Sequence, residues 1–311
     1  MTIWRAHDLP GQWPGREGLG WTTAVVMDVG ADASATEDED TITRLNEMAV
    51  VIGGLSGVQT VPLLVSCPDS YELMQMLHGL PVQVGAVYLA GNNPERLREA
   101  QALLADVSAR PVITEADAEA ISLVGAVLTY LGGRDLLPAD SRVVVAGKAR
   151  LPTLCPLLLT AGLFQHTRWA PADAPAAPLS RATRDADVVI DLTGGSEQMT
   201  RLQWDRPCDS VIASPPNAGL LPVPGLMRAI AAAVGPLVDI ETYHACAAGL
   251  MRAAPPRSLS PRVTSPDLVG EVEAAAARVL APAASSPLRR DRRPNWASLL
   301  GGSRTDPPRP S

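Results

Sequence analysis

From Trp21 onward the chain alternates short runs rich in β-branched residues with longer segments of helical period, and no other feature limits its fold as strongly. Strands that alternate with helices pair in parallel, because a parallel neighbour is reached only through a crossover connection. Strands are expected at 22–29, 61–66, 82–89, 142–146, 187–192 and 210–213. Asp69 in CPDSYELMQML reads as a helix start, and Asn93 followed by Pro94 as an Asn cap with a first-turn proline. A long apolar helix over 116–131 is expected to stop at Gly132-Gly133 in the left-handed cap conformation that glycine tolerates. Residues 142–213 then have the spacing of a nucleotide-binding half: strand, turn, helix, a Pro/Ala-rich connection at 170–178 and the strand ADVVIDL. SPDLVGEVEAAAARVL is the last expected helix, capped by Thr264 or Ser265 with Pro266 in its first turn.

The fold class that follows is α/β. A Rossmann-like parallel-sheet domain over 115–282 is preceded by a smaller α/β domain over 1–114. Residues 283–311 are Pro- and Arg-rich with too little apolar matter to fold alone, so a disordered tail is expected there.

Apolar stretches such as 143–146 and 157–159 are far shorter than the roughly 20 residues a membrane-spanning helix needs, and MTIWRAHDLPGQW lacks the apolar core of a signal peptide. A cytoplasmic protein with no membrane partner is expected. Cys67, Cys155, Cys208 and Cys246 are scattered and form no C-x-x-C, which argues for free thiols rather than a zinc ribbon or disulfide framework. The net charge of -7 is uneven: residues 283–311 carry six Arg against two Asp, so this segment is +4 and the remainder -11. An acidic body is a poor nucleic-acid surface. Within the tail, LRRDRRPNWASLL at 288–300 places Trp296, Leu299 and Leu300 at the spacing of one short helical face beside arginines, a pattern suited to docking on a protein partner.

Chemistry-bearing candidates are few. Gly147, Lys148, Ala149 and Arg150 follow a strand in the place of a dinucleotide loop, and Lys148, the only lysine in the chain, could with Arg150 lend charge to a phosphate. Thr193, Gly194 and Gly195 form a glycine-rich turn after another strand, where open α/β sheets place ligands, and read equally well as an ordinary turn. Glu115, Asp117 and Glu119 read first as an acidic opening turn favoured by the helix dipole, and Glu37 to Asp40 as a solvated helix start. His244 and Cys246 in YHAC lack a partner cluster, and His7, His78 and His166 show no ligand spacing.

The order of these segments over residues 60–282 resembles the C-terminal part of malic enzymes. LPVQVGAVYLAGN, ending at Asn92, is similar to the family's strand that ends in Leu-Glu-Asp. VITEADAEAISLVGAVLTYL resembles its Asp-Asp turn entering a long helix, RVVVAGKARLPTLCPLLLTAGL its dinucleotide fold, and DADVVIDLTGG its Ala-Asp-Val strand. Methylenetetrahydrofolate and shikimate dehydrogenases share parts of the second half only. The resemblance implies NAD or NADP and a divalent metal held by the Glu-Asp pair and a later Asp. Here Ala90 and Gly91 stand at the pair, and the later Asp pair falls on Glu115 and Ala116, leaving Glu115 or Asp117 as the catalytic remnants. The glycines of G-x-G-x-x-G read Gly147, Ala149 and Pro152, and Pro152 and Pro156 lack the N–H groups of an anion nest. Ser214 replaces the Asn of the family's Ala-Asn-Pro turn. The catalytic lysine of the family has no counterpart, and none of Tyr71, Tyr88 and Tyr130 matches its tyrosine.

The expectation is a malic-enzyme-like protein with degenerate metal and dinucleotide sites, weak NAD or NADP binding and no metal. It would act as a non-catalytic ligand-sensing, regulatory or assembly subunit, as a homo-oligomer or with a partner. Two alternatives stand beside it: a metal-independent NAD(P)-dependent oxidoreductase of a small hydroxy or oxo acid, and a protein that works through its tail.

Overall fold

The structure, a computed structural model, describes residues 4–5, 21–31, 39–147, 151–206, 210–214, 217–234 and 236–280, which belong to one compact unit. The tail at 283–311, with Trp296, and the loop residues Lys148, Ala149 and Arg150 lie outside the described residues.

The first sheet contains β1 (Trp4–Arg5), β2 (Thr22–Asp28), β3 (Gln59–Val65), β4 (Val84–Gly91) and β5 (Val112–Thr114) in the order β1-β3-β2-β4-β5, every pair parallel. The chain leaves β2 towards β3 on one side and returns past β2 to β4 on the other. Right-handed crossovers therefore place α1 (Glu39–Ser56) on one face and α2 (Ser70–His78) and α3 (Pro94–Val107) on the opposite face. Alternation along β2 follows: Val25 and Met27 join Leu45 and Ile52 of α1, while Ala24 and Val26 join Leu73, Leu77, Leu97 and Leu104. Every residue of β2 is buried, so its central run at 24–27 is continuously apolar rather than alternating, with Thr22, Thr23 and Asp28 as buried polar ends.

The helix starts expected at Asp69 and Asn93 are present, each side chain accepting from the backbone three residues on. α4 (Glu115–Gly132) crosses to the second sheet, which contains β6 (Arg142–Gly147), β7 (Gln165–Trp169), β8 (Val188–Leu192) and β9 (Val211–Ala213) in the order β7-β6-β8-β9, again all parallel. One apolar core unites α4, the inner face of this sheet and the α1 face of the first. Around it pack α5 (Leu154–Thr160), α8 (Val223–Ala232), α9 (Ile240–Ala253) and α10 (Leu268–Leu280). The outer face of the second sheet has a smaller core of Val144, Trp169, Val189, Met199 and Leu202, with α6 (Leu179–Ala182) and α7 (Glu197–Asp205) above it.

Some expectations are corrected. β7 was not anticipated: QHTRW at 165–169 is an edge strand with mostly exposed side chains, so it carries no apolar signal. Val112–Thr114 adds a strand where only a turn was expected. Gly133 ends α4 in the right-handed region (φ -68°), and the left-handed turn falls two residues later at Asp135 (φ 56°). The last helix begins at Leu268, past Pro266, and the Ser265 hydroxyl accepts from the Arg262 amide instead of capping. Among the described residues no helix is long and apolar enough to cross a membrane.

Candidate functional site

A cleft of about 810 Å³ opens between α1, the start of α4 and the segment that follows β9. Two buried hydrogen bonds build its floor. The Tyr88 hydroxyl of β4 donates to the Gly219 carbonyl at 2.8 Å, and the Ser122 hydroxyl of α4 donates to the Ala218 carbonyl at 2.7 Å. Asn217, in the left-handed region at φ 60°, turns the chain into this contact. Gly219 is required by space: a Cβ there would sit 2.9 Å from Glu115 Cγ and 3.1 Å from Tyr88 Oη. Burial first, and the Glu115 charge second, push the Tyr88 phenol well above its usual range, so it is a neutral donor.

Glu115, the first residue of α4, lines the cleft, and its Oε1 accepts from Arg44 Nη2 of α1 at 2.5 Å. Asp117, two residues on, faces inward and is 4% exposed. Its Oδ2 accepts from the Thr114 amide at 3.1 Å, Gln101 Nε2 at 2.8 Å and the Tyr243 hydroxyl at 3.3 Å. Its Oδ1 accepts from the Thr153 hydroxyl at 2.5 Å. This carboxylate joins β5, α3, α9 and the entry to α5, with both oxygens occupied. Burial first, then the Asp117 charge and hydrogen bond, raise the Tyr243 phenol well above its usual range.

The expected cofactor residues that the structure describes do meet at one edge. Gly147 closes β6 at φ 136°, and a Cβ there would lie 2.6 Å from the Leu192 carbonyl oxygen, so only glycine lets β6 approach the end of β8. Beyond Leu192, the Thr193 amide and hydroxyl both donate to Asp191 Oδ1, at 2.7 and 2.6 Å, and Gly194 and Gly195 turn at φ 75° and 79° into the Ser196 cap of α7. The helix after β6 fits a pyrophosphate poorly. α5 starts only at Leu154, Pro156 lies inside it, and the Thr153 hydroxyl at its cap position is given to Asp117. A ribose carboxylate is expected about 20 residues beyond the glycine turn. The second strand ends there in Trp169, buried with its indole N–H donated to the Ala177 carbonyl.

The residues at the metal positions do not fit a divalent cation. Ala90 and Gly91 close β4, and a Cβ on Gly91 would stand 2.4 Å from the Asp28 carbonyl oxygen, so the backbone leaves no room for a carboxylate-bearing side chain. Beneath this point, where the strand order reverses, Asp28 accepts from Arg96 Nε at 2.9 Å and Nη2 at 2.5 Å and from the Gly30 amide at 3.1 Å. His244 and Cys246 sit two apart on α9; burial lowers the His244 pKa and raises the Cys246 thiol to about 12. Among the described residues no three His, Cys, Asp or Glu side chains are grouped to hold a metal. Sequence reasoning missed Arg44, Gln101 and Tyr243. Nothing in their local sequence marks them, because each acts through a contact distant in the chain.

No family model matches the sequence, and no curated protein matches it. Solved structures do. The NAD-dependent malic enzyme of Thermotoga maritima superposes with a TM-score of 0.70 at 14% identity, over 82% of this chain and 84% of that one. The malic enzyme of Pyrococcus horikoshii gives 0.69 at 14% identity over 83% and 76%, and that of Entamoeba histolytica 0.64 at 15% over 84% and 70%. Two successive parallel sheets, the long helix between them and these superpositions together give the chain a divergent malic-enzyme-like fold.

Proposed function

We propose that this protein is a non-catalytic ligand-sensing subunit, regulatory or assembly-directing, that uses the cleft between α1 and α4 and has given up the oxidation of a hydroxy acid. The observation that carries this reading is the engagement of both carboxylates at the start of α4: Glu115 is paired with Arg44, and Asp117 accepts four hydrogen bonds in the interior. Proton abstraction from a hydroxy acid needs a base within reach of the substrate, and a carboxylate saturated by donors is a weak one. Stabilisation of the developing enolate needs a cation or oxyanion donors, and Ala90 and Gly91 supply no metal ligand. The enzymes with this fold are called malic enzymes, one of them NAD-dependent. Their chemistry does not transfer onto these residues.

The test is NAD⁺ or NADP⁺ reduction followed by absorbance, with malate and either magnesium or manganese. No rate above the enzyme-free control is expected. A metal-dependent rate that disappears in Glu115→Ala overturns the proposal and favours an oxidoreductase.

A further inference from the structure

We infer that the cleft takes a neutral ligand with a primary carboxamide on an apolar body, paired to the side chain of Asn46; this rests on the reading of the cleft as a ligand site. Among the described residues, two buried side-chain polar atoms have no hydrogen-bond partner, Thr23 Oγ1 and Asn46 Oδ1. Thr23 lies within β2 of the first sheet, whereas Asn46 lines the cleft. Native proteins rarely leave a buried acceptor unmet, because it loses its bond to water and gains none in return. The place of Asn46 in the chain adds to that cost. It lies near the middle of the 18-residue α1, where asparagine is a poor helix former. A residue that weakens its helix and leaves its oxygen unmet does little for the fold, and the cleft is where its carboxamide can be answered.

The local geometry supports this. Thr43, Asn46, Glu47 and Val50 are spaced three and four apart, so they share the face of α1 that lines the cleft. Rotation about χ2, a broad torsion in asparagine, turns Oδ1 from the interior towards a ligand. The ligand class follows from the donors and acceptors. Asn46 offers an acceptor and an NH₂ donor side by side. A carboxylate has acceptors only and an ammonium donors only, so each leaves half of Asn46 unmet, and a hydroxyl meets one of its two atoms. A primary carboxamide has the same two groups at the same spacing and closes both hydrogen bonds. Val50, one turn beyond Asn46 and 62% exposed, provides apolar contact for a hydrocarbon body, together with Leu220 and Val263 of the cleft lining. The cleft volume of about 810 Å³ lies within the roughly 300–1,000 Å³ of small-molecule sites.

Three probes with one hydrocarbon chain test the pairing: hexanamide; pentyl methyl ketone, in which a methyl group replaces the NH₂; and hexanoate, in which an anionic oxygen replaces it. Each is titrated into the full-length protein and followed by calorimetry. Hexanamide is expected to bind at least about fivefold more tightly than either of the others, which keep the acceptor but have no donor for Asn46 Oδ1. Asn46→Ala and Asn46→Leu should each bring the ketone to within about twofold of hexanamide. Both should leave the unligated melting temperature unchanged or a few degrees higher, because the unmet acceptor is gone and a better helix former replaces it. If the ketone or hexanoate binds as tightly as hexanamide, the carboxamide inference fails while the ligand-site reading survives. If none of the three binds, the inference fails. A melting temperature lowered by more than about 5 °C in both variants overturns it as well, since Asn46 would then be a structural residue. Metal-dependent malate oxidation that Glu115→Ala abolishes removes the non-catalytic reading instead, whichever probe binds.

Discussion

Asp117→Ala should be among the most damaging single substitutions in the chain. Its carboxylate accepts from four groups on four segments, and its partner Tyr243 is itself buried at 8% exposure. Hydrogen bonds to a charged group contribute about 1.5–3 kcal/mol each, and every buried donor left without an acceptor costs about 1–3 kcal/mol. Four such losses would sum to more than the effect, because the Gln101 side chain can reorient and the vacated space admits a water molecule that accepts from the remaining donors. An expected loss of about 4 kcal/mol allows for this and is a large share of the 5–15 kcal/mol typical of a folded domain. Urea unfolding followed by circular dichroism measures it as a fall in midpoint at unchanged slope. Tyr243→Phe removes one of the four donors and should cost about 1–2 kcal/mol. Combined with Asp117→Ala it should cost little more, a coupling of about 1 kcal/mol or greater. A loss below about 1 kcal/mol for Asp117→Ala, or strict additivity in the cycle, would refute the assignment of this carboxylate as a structural junction.

Gly91→Asp, which restores a carboxylate at the end of β4, should destabilise by about 1–3 kcal/mol and leave calorimetric magnesium and manganese binding undetectable, since its Cβ meets the Asp28 carbonyl oxygen at 2.4 Å. Gly249→Ala in α9 should also destabilise, despite alanine's helix propensity, because the new Cβ would lie 2.9 Å from the Glu271 carbonyl oxygen and Val272 Cα of α10; thermal melting decides the sign. Tyr88 and Tyr243 both have phenols raised above 10.0 by burial, so their stabilisation is complete below about pH 10 and is lost as pH rises beyond it. The melting temperature should therefore fall above about pH 10, less steeply in Tyr243→Phe. With Cys155 and Cys208 both replaced by Ser, iodoacetamide should modify Cys67 and Cys246 only through unfolding, since burial raises their thiols to about 11 and about 12; fast labelling of the native protein would contradict this.

Legibility in the sequence divides by the range of the interaction. The central strands were readable because the middle stretches of β2, β4, β6 and β8, at 24–27, 86–90, 143–146 and 188–190, are buried and form continuous apolar runs. The caps at Asp69 and Asn93 were readable because each bond closes within three residues. β7 was not, since an edge strand with exposed side chains has no apolar pattern to show. The Gly147 and Thr193–Gly195 turns could be assigned to the C-terminal ends of strands, but the reason β6 needs glycine, the Leu192 carbonyl 45 residues away, lies in the packing.

Glu115 and Asp117 show why the site was harder to read than the fold. In the sequence they are two acidic residues in one helical turn, both suited to the helix dipole and both plausible metal or base remnants. A separation of two residues rotates side chains by about 200° around a helix, so one must face the cleft if the other faces the core. Which way each points is decided by the partners: Arg44, 71 residues before Glu115, draws it towards α1, while Tyr243, 126 residues beyond Asp117, meets it in the interior. The two carboxylates consequently take opposite roles. Asp117 is an anchor whose removal is read in stability, and Glu115 is a cleft wall held by Arg44. Stability loss for Glu115→Gln should stay below about 1 kcal/mol, since its ion pair with Arg44 is half exposed and such pairs contribute little. If urea unfolding instead shows Glu115→Gln to be as damaging as Asp117→Ala, the division between anchor and cleft wall is wrong, and the start of α4 is a single structural cluster with no site in it.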